Sequence, residues 1–145
     1  MNKRKLHFLI IIITIYLCVG CQTDVTIKNK AVDFLWEYAN EHPEGFTLNI
    51  QTYQEITQGI AVSYFETQNS FGKEKLSSVV THALEHESIV GGWFNDSTSL
   101  YYFDSDKIFP DTALSEAIEF AIKNKQYAIY DISKDSLIWL SDSLK

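Results

Sequence analysis

Apolar residues recur along this chain with two different spacings, and the alternation between the spacings predicts its elements. Three segments follow a period near 3.6, the mark of helices packed on one side. The first covers Asn29–Glu41, with Ala31, Phe34, Leu35, Tyr38 and Ala39 on one stripe. It must end by His42, because Pro43 biases its predecessor away from helical geometry. The second covers Lys73–Glu87, with Leu76, Val79, Val80, Ala83 and Leu84 on its stripe. Gly72 is the expected N-cap there, with Phe71 and Leu76 as a hydrophobic staple. The third covers Thr112–Lys125 behind Pro110, with Asp111 as the expected cap and Lys123 and Lys125 complementing its C-terminal dipole.

Between the helices the period drops to two. Phe46–Gln51 alternates cleanly, as a strand with one wet face does. Further strand runs lie at Ile60–Glu66, Ile89–Phe94, Ser99–Asp104, Tyr127–Ile132 and Leu137–Leu140, with Lys107–Phe109 as a short bridge. Asn95–Thr98 and Ser133–Ser136 read as hairpin turns. The order is helix–strand–strand three times over, without a residue-level repeat. It predicts an α+β domain, with a mainly antiparallel sheet of about six strands and three helices on one face.

The N-terminus has a different pattern. Met1–Lys5 carries three basic residues and no acid, and an apolar run from Leu6 to Leu17 follows. Twelve helical residues rise about 18 Å, short of the roughly 30 Å hydrocarbon core of a bilayer. A basic start and a short apolar run describe a secretory signal rather than a span. The next residues, Leu17-Cys18-Val19-Gly20-Cys21, resemble the bacterial lipobox, in which small residues precede a cysteine that is lipidated and becomes the new N-terminus. Cys18 stands where that pattern usually has an aliphatic residue. The resemblance implies a signal peptide at 1–20, lipidation of Cys21, a short tether at 21–28, and a single domain at 29–145. It places the protein on a membrane of the bacterial cell envelope. Gln22 is compatible with outer-membrane sorting, and the choice between inner and outer membrane stays open.

Both cysteines of the chain lie in this segment, so no disulfide or thiolate metal site supports the domain. Residues 1–20 hold three of the 12 Lys+Arg and none of the 19 Asp+Glu, which leaves a net −10 on residues 21–145. Such a charge repels nucleic-acid phosphates and anionic headgroups. Nucleic acid is therefore not an expected partner, and membrane attachment rests on the lipid.

Several segments could carry chemistry. His82-Ala83-Leu84-Glu85-His86 matches the inverted zinc-protease pattern, in which two imidazoles four apart grip one ion. Both histidines fall at the edge of the second helix's apolar stripe and Glu85 points away, so edge-of-face histidines are the better account. Gln68 and Asn69 precede the second helix, where free amides can hold an anion or simply form a turn. Gly91-Gly92 interrupts an aromatic strand, a sign of a bulge or a close backbone approach. Trp93, Tyr101 and Tyr102 around it form the candidate ligand or partner surface. Asp96, Asp104, Asp106 and Asp111 surround the same hairpin without calcium-loop spacing and read as solvated turn acids. No nucleophile elbow, phosphate loop or dinucleotide fingerprint is present, and no cofactor is implied.

Five blocks carry a wider resemblance: His42–Thr47, Gly59–Gly72, Val90–Asp96, Tyr101–Asp111 and Tyr127–Ile132. They resemble small bacterial proteins of unknown function from genomes and mobile elements, a likeness that implies one domain and no particular mechanism. The expected function is a lipid-anchored, non-catalytic binding or interaction domain whose partner is a protein or a small molecule. The alternatives are a metal-dependent hydrolase using His82 and His86, and an immunity-type inhibitor whose acidity covers a basic toxin or phage component.

Overall fold

The computed structural model describes residues 25–140. The predicted signal segment, Cys21 and residues 141–145 lie outside the described residues. Helix α1 occupies residues 25–41, and so takes in part of the segment read as tether. Strands β1 (Phe46–Asn49), β2 (Gln54–Glu55), β3 (Ile60–Ser63) and β4 (Ser70–Phe71) lead to α2 (Gly72–Leu84). The hairpin β5 (Ile89–Asn95) and β6 (Leu100–Phe109) follows, then α3 (Leu114–Lys123), then β7 (Ala128–Asp131) and β8 (Ser136–Trp139). Among the described residues no helix is long and apolar enough to cross a membrane.

The α+β class, the three helices and the antiparallel sheet are those the sequence predicts; two strands follow α2 and two follow α3 as expected, whereas four follow α1. The strand count is higher. Seven strands run across the sheet in the order β2-β1-β5-β6-β3-β7-β8, and β4 pairs with β6 off that path. Every pairing is antiparallel. The extra strands, β2 and β4, are two residues each, too short to show a period. The short bridge at Lys107–Phe109 is the second half of β6, which uses its first half against β5 and its last residues against β3. The β5–β6 hairpin is thus inserted between β1 and β3.

Register assigns each side chain to a face, because alternate residues of a strand point to opposite sides. On one face lie Leu48, Ile60, Val62, Val90, Phe103 and Ile129. All three helices pack there. Ala31, Leu35 and Ala39 of α1 join Leu76, Val79, Val80 and Ala83 of α2 over Leu48, Val90 and Phe103. Ala117 and Ala121 of α3 cover Ile60, Val62 and Ile129. Small residues on α3 let it approach the strands closely, while larger side chains fill the α1–α2 half.

The helix ends differ in detail from expectation. Phe71, not Gly72, is the N-cap of α2, and Gly72 opens the helix with φ +73. The Phe71 ring lies over Tyr102, with centroids 5.6 Å apart. Helix α2 stops at Leu84, where Ser88 adopts φ +60 and donates its amide to the Ala83 carbonyl at 2.8 Å. Ala113 caps α3. Asp111 accepts the Ser133 hydroxyl at 2.9 Å instead, tying the β6–α3 connection to the turn before β8.

Gly92 is set among the core side chains. A Cβ there would stand 2.6 Å from the Phe46 ring and 2.9 Å from that of Tyr101. Gly92→Ala should therefore cost about 1–3 kcal/mol by overpacking. Phe103→Ala, at a fully buried side chain, should cost about 3–5 kcal/mol by leaving a cavity. Urea unfolding of both variants checks the two values.

Candidate functional site on the helix-free face of the sheet

Among the described residues the opposite face carries no helix. It presents Thr47, Ile89, Gly91, Trp93, Leu100, Tyr102, Asp104, Asp106 and Ile108 from β1, β5 and β6, flanked by Ala61 and Ser63 of β3 and Phe71 of β4. Its centre is shielded nonetheless. Thr47, Ala61, Ile89 and Asp106 are buried, while Phe71 and Trp93 are each 45% exposed. The face therefore combines a closed polar centre with an aromatic rim.

Gly91 explains the centre. It pairs directly with Asp104, and a Cβ on it would meet Asp106 Oδ2 at 2.2 Å. The Asp106 carboxyl occupies the space a side chain would take. The two neighbouring glycines thus serve opposite faces: Gly92 makes room for rings in the core, and Gly91 for a carboxyl outside it. A lone glycine in a strand signals such an approach; the doublet signals two.

Asp104 and Asp106 are not solvated turn acids. Both lie within β6, on one face, two residues apart. Asp106 is only 5% exposed and its Oδ1 has no hydrogen-bond partner. Burial, reinforced by the neighbouring Asp104 charge, pushes the Asp106 carboxyl up to about 8 against a bond from Ser63 that lowers it. Burial raises Asp104 to about 7, and the Trp93 indole, which donates to its carboxylate, pulls the other way. Two acids in one low-dielectric site resist ionising together.

The rim is built around stacked rings. Trp93 and Tyr102, opposite one another on β5 and β6, lie 5.0 Å apart at 18°. Phe71 adds a third ring against Tyr102, and Leu100 continues the apolar surface toward the hairpin turn. Asn95 holds that turn, its side chain accepting the amides of Ser97 and Thr98.

Tyr101 lies on the other face. Its ring packs on Phe46 and Phe103, and its hydroxyl donates to the His42 carbonyl at 2.8 Å. Alternation along β6 separates it from Tyr102. Gln68 donates to the Asn124 carbonyl at the end of α3, and Asn69 turns the chain with φ +58. Gln68 thereby joins the β3–α2 connection to α3, while Asn69 turns the chain just before β4.

His82 and His86 do come together, ring upon ring, 4.0 Å apart at 11°. Lone pairs of imidazole nitrogens lie in the ring planes, so parallel stacked rings do not converge on one tetrahedral ion. His86 Nδ1 donates to the His82 carbonyl at 2.7 Å, and Tyr64 packs against both rings. Desolvation, then the neighbouring His86, lowers the His82 pKa. Among the described residues no three His, Cys, Asp or Glu side chains are grouped to hold a metal.

No protein-family model, curated protein or solved structure matches this chain.

The carboxyl pair gives stability a definite pH dependence. Aspartate in an unfolded chain titrates near about 3.9. At these two sites the folded protein therefore binds more protons than the unfolded chain from roughly pH 4 to pH 8, and their contribution to stability falls as pH rises through that window. Asp106→Asn removes one of these titrations. The melting temperature of this variant relative to wild type should rise steadily from about pH 5 to about pH 9. A difference that stays flat would mean that the carboxyl titrates as it does in water.

Proposed function

We propose that this protein is a non-catalytic binding domain, held at the bacterial cell envelope by a lipid on Cys21, that engages its partner through the helix-free face of the sheet. The observation that carries the reading is the Phe71–Tyr102–Trp93 aromatic row, partly open to solvent beside a carboxyl pair. Aromatic rings left outside a core add no fold stability in proportion to their size, and contiguous exposed patches mark interaction sites. With a net −10 on residues 21–145, the domain suits a partner of positive charge. An inhibitor of a basic toxin belongs to this class. The stacked, Tyr64-packed histidines give no comparable support to a hydrolase.

The lipid attachment makes a direct prediction. Wild-type protein should incorporate labelled fatty acid, and Cys21→Ala should abolish incorporation and leave the precursor uncleaved. Label retained by Cys21→Ala and lost from Cys18→Ala would move the attachment to Cys18.

The binding face is tested by placing a photo-crosslinking residue at Tyr102 and, as a control, at exposed Glu119 on α3 in intact cells. A defined adduct at position 102 and none at 119 is expected. Trp93→Ser should weaken that adduct while costing no more than about 1.5 kcal/mol, the scale of a stacked aromatic pair. Equal adducts at both positions, or a loss on the scale of a buried aromatic, about 3–5 kcal/mol, would make the row structural.

A further inference from the structure

Among the described residues no counter-charge faces Asp104 and Asp106. Asp106 is flanked by Ile89 and Gly91 of β5 and by Ala61 and Ser63 of β3. Trp93, Tyr102, Leu100, Ile108 and Phe71 complete the surroundings. Among these described residues none is basic, and Tyr102 is the one titratable group besides the two acids. Lys107, between Asp106 and Ile108 in sequence, points to the helix-covered face, where it pairs with Glu87 at 3.6 Å and lies over Phe120. Tyr130, the titratable group of β7 on the helix-free side, donates to Asp135.

The hydrogen bonding is also incomplete. Ser63 supplies one bond to Asp106 and Trp93 one to Asp104. Asp106 Oδ1 is buried and unpartnered, in a side chain 5% exposed that folds over Gly91, the residue paired with Asp104. A buried polar oxygen with no partner is an exception in folded proteins, and it is an open acceptor for an incoming donor. The partly exposed Asp104 is the way in, and the Trp93–Tyr102 stack stands beside it.

We propose that the carboxyl pair over Gly91 is a binding site for a primary ammonium group, the tip of a lysine side chain from a protein partner, with Trp93 and Tyr102 walling its alkyl stem. This rests on the binding-face reading and names the chemistry that face recognises. An ammonium has three separate donors, which suit carboxylates that each already have one bond in place. An ammonium is also more compact than the planar guanidinium fork, which suits a carboxyl that is only 5% exposed. Calcium takes six to eight oxygens, of which two carboxylates and a hydroxyl supply at most five, so the protein offers it no complete shell. Aromatic ring faces attract a cation and cover an aliphatic stem at the same time. Binding favours the ionised form of the carboxyl pair, so it releases protons near neutrality and tightens as pH rises toward the raised carboxyl values.

The test is calorimetric titration of the full chain in detergent micelles with Nα-acetyl-lysine methylamide, in two buffers of different ionisation heat. The arginine, norleucine and calcium counterparts serve as comparisons. Saturable binding of the lysine probe alone, with proton release, is expected. Asp104→Asn and Asp106→Asn should each weaken it at least about tenfold, a change of about 1.4 kcal/mol. Cooperative melts of both variants show that the fold is intact, and if one fails to fold the other decides. No saturable lysine binding, binding unchanged in a folded variant, or preference for arginine or calcium would overturn the proposal. A Tyr102 cross-link that persists without lysine binding places the failure in the ammonium assignment; loss of both places it in the binding face.

Discussion

The β5–β6 register decides what each face of this molecule contains. Side chains alternate with a period of two, so a slip of one residue would exchange the faces. Phe103 would leave the core, and Asp104 would enter it beneath the helices. Register is pinned at the hairpin by the Asn95 side chain and along the strands by Gly91 and Gly92. Each glycine leaves a space that one particular neighbour fills, a ring on one side and a carboxyl on the other. Because β1 pairs with β5 and β3 with β6, the register of this hairpin sets the alignment of the strands beside it.

The asymmetry of the two faces follows. Beneath the helices the sheet presents aliphatic and aromatic side chains, and their burial supplies the stabilising surface. On the other face the same strands hold one buried carboxyl, Asp106, beside the partly exposed Asp104, and among the described residues Ser63 and Trp93 are their hydrogen-bond donors. Burying acids without a cation opposes folding at neutral pH. In a chain already strongly acidic, such an arrangement works against stability, and local conflicts of this kind concentrate where a protein meets something else. The aromatic row next to the carboxyls gives that reading a location.

Much of the fold was legible in the sequence because its elements are strongly periodic. Of the α2 stripe, Leu76, Val79, Val80 and Ala83 are fully buried and Leu84 is half-buried. What escaped were features with no period. Strands β2 and β4 are two residues long, and the length of β6 depends on having different partners at its two ends. Asp111 looked like a helix cap but bonds to Ser133, a residue distant in sequence. The site was half legible. Trp93, Tyr102 and the glycine doublet stood out, whereas Tyr101 was grouped with them although odd and even positions of one strand diverge. Asp104 and Asp106 looked like turn acids because charged residues near a hairpin usually are solvated. Their spacing of two inside a strand flanked by Phe103 and Ile108 was the available signal that they share one face.

Asp106, buried, and Asp104, partly exposed beside it, face no basic side chain among the described residues. Carbon-13 NMR of aspartate-labelled protein follows each carboxyl directly through its titration, with Asp104→Asn and Asp106→Asn assigning the two resonances. The structure predicts two resonances whose midpoints lie well above the rest, near 7 for Asp104 and near 8 for Asp106. Midpoints for both close to about 3.9, the ordinary aspartate value, would mean that water or a cation already reaches the pair, and would contradict the account.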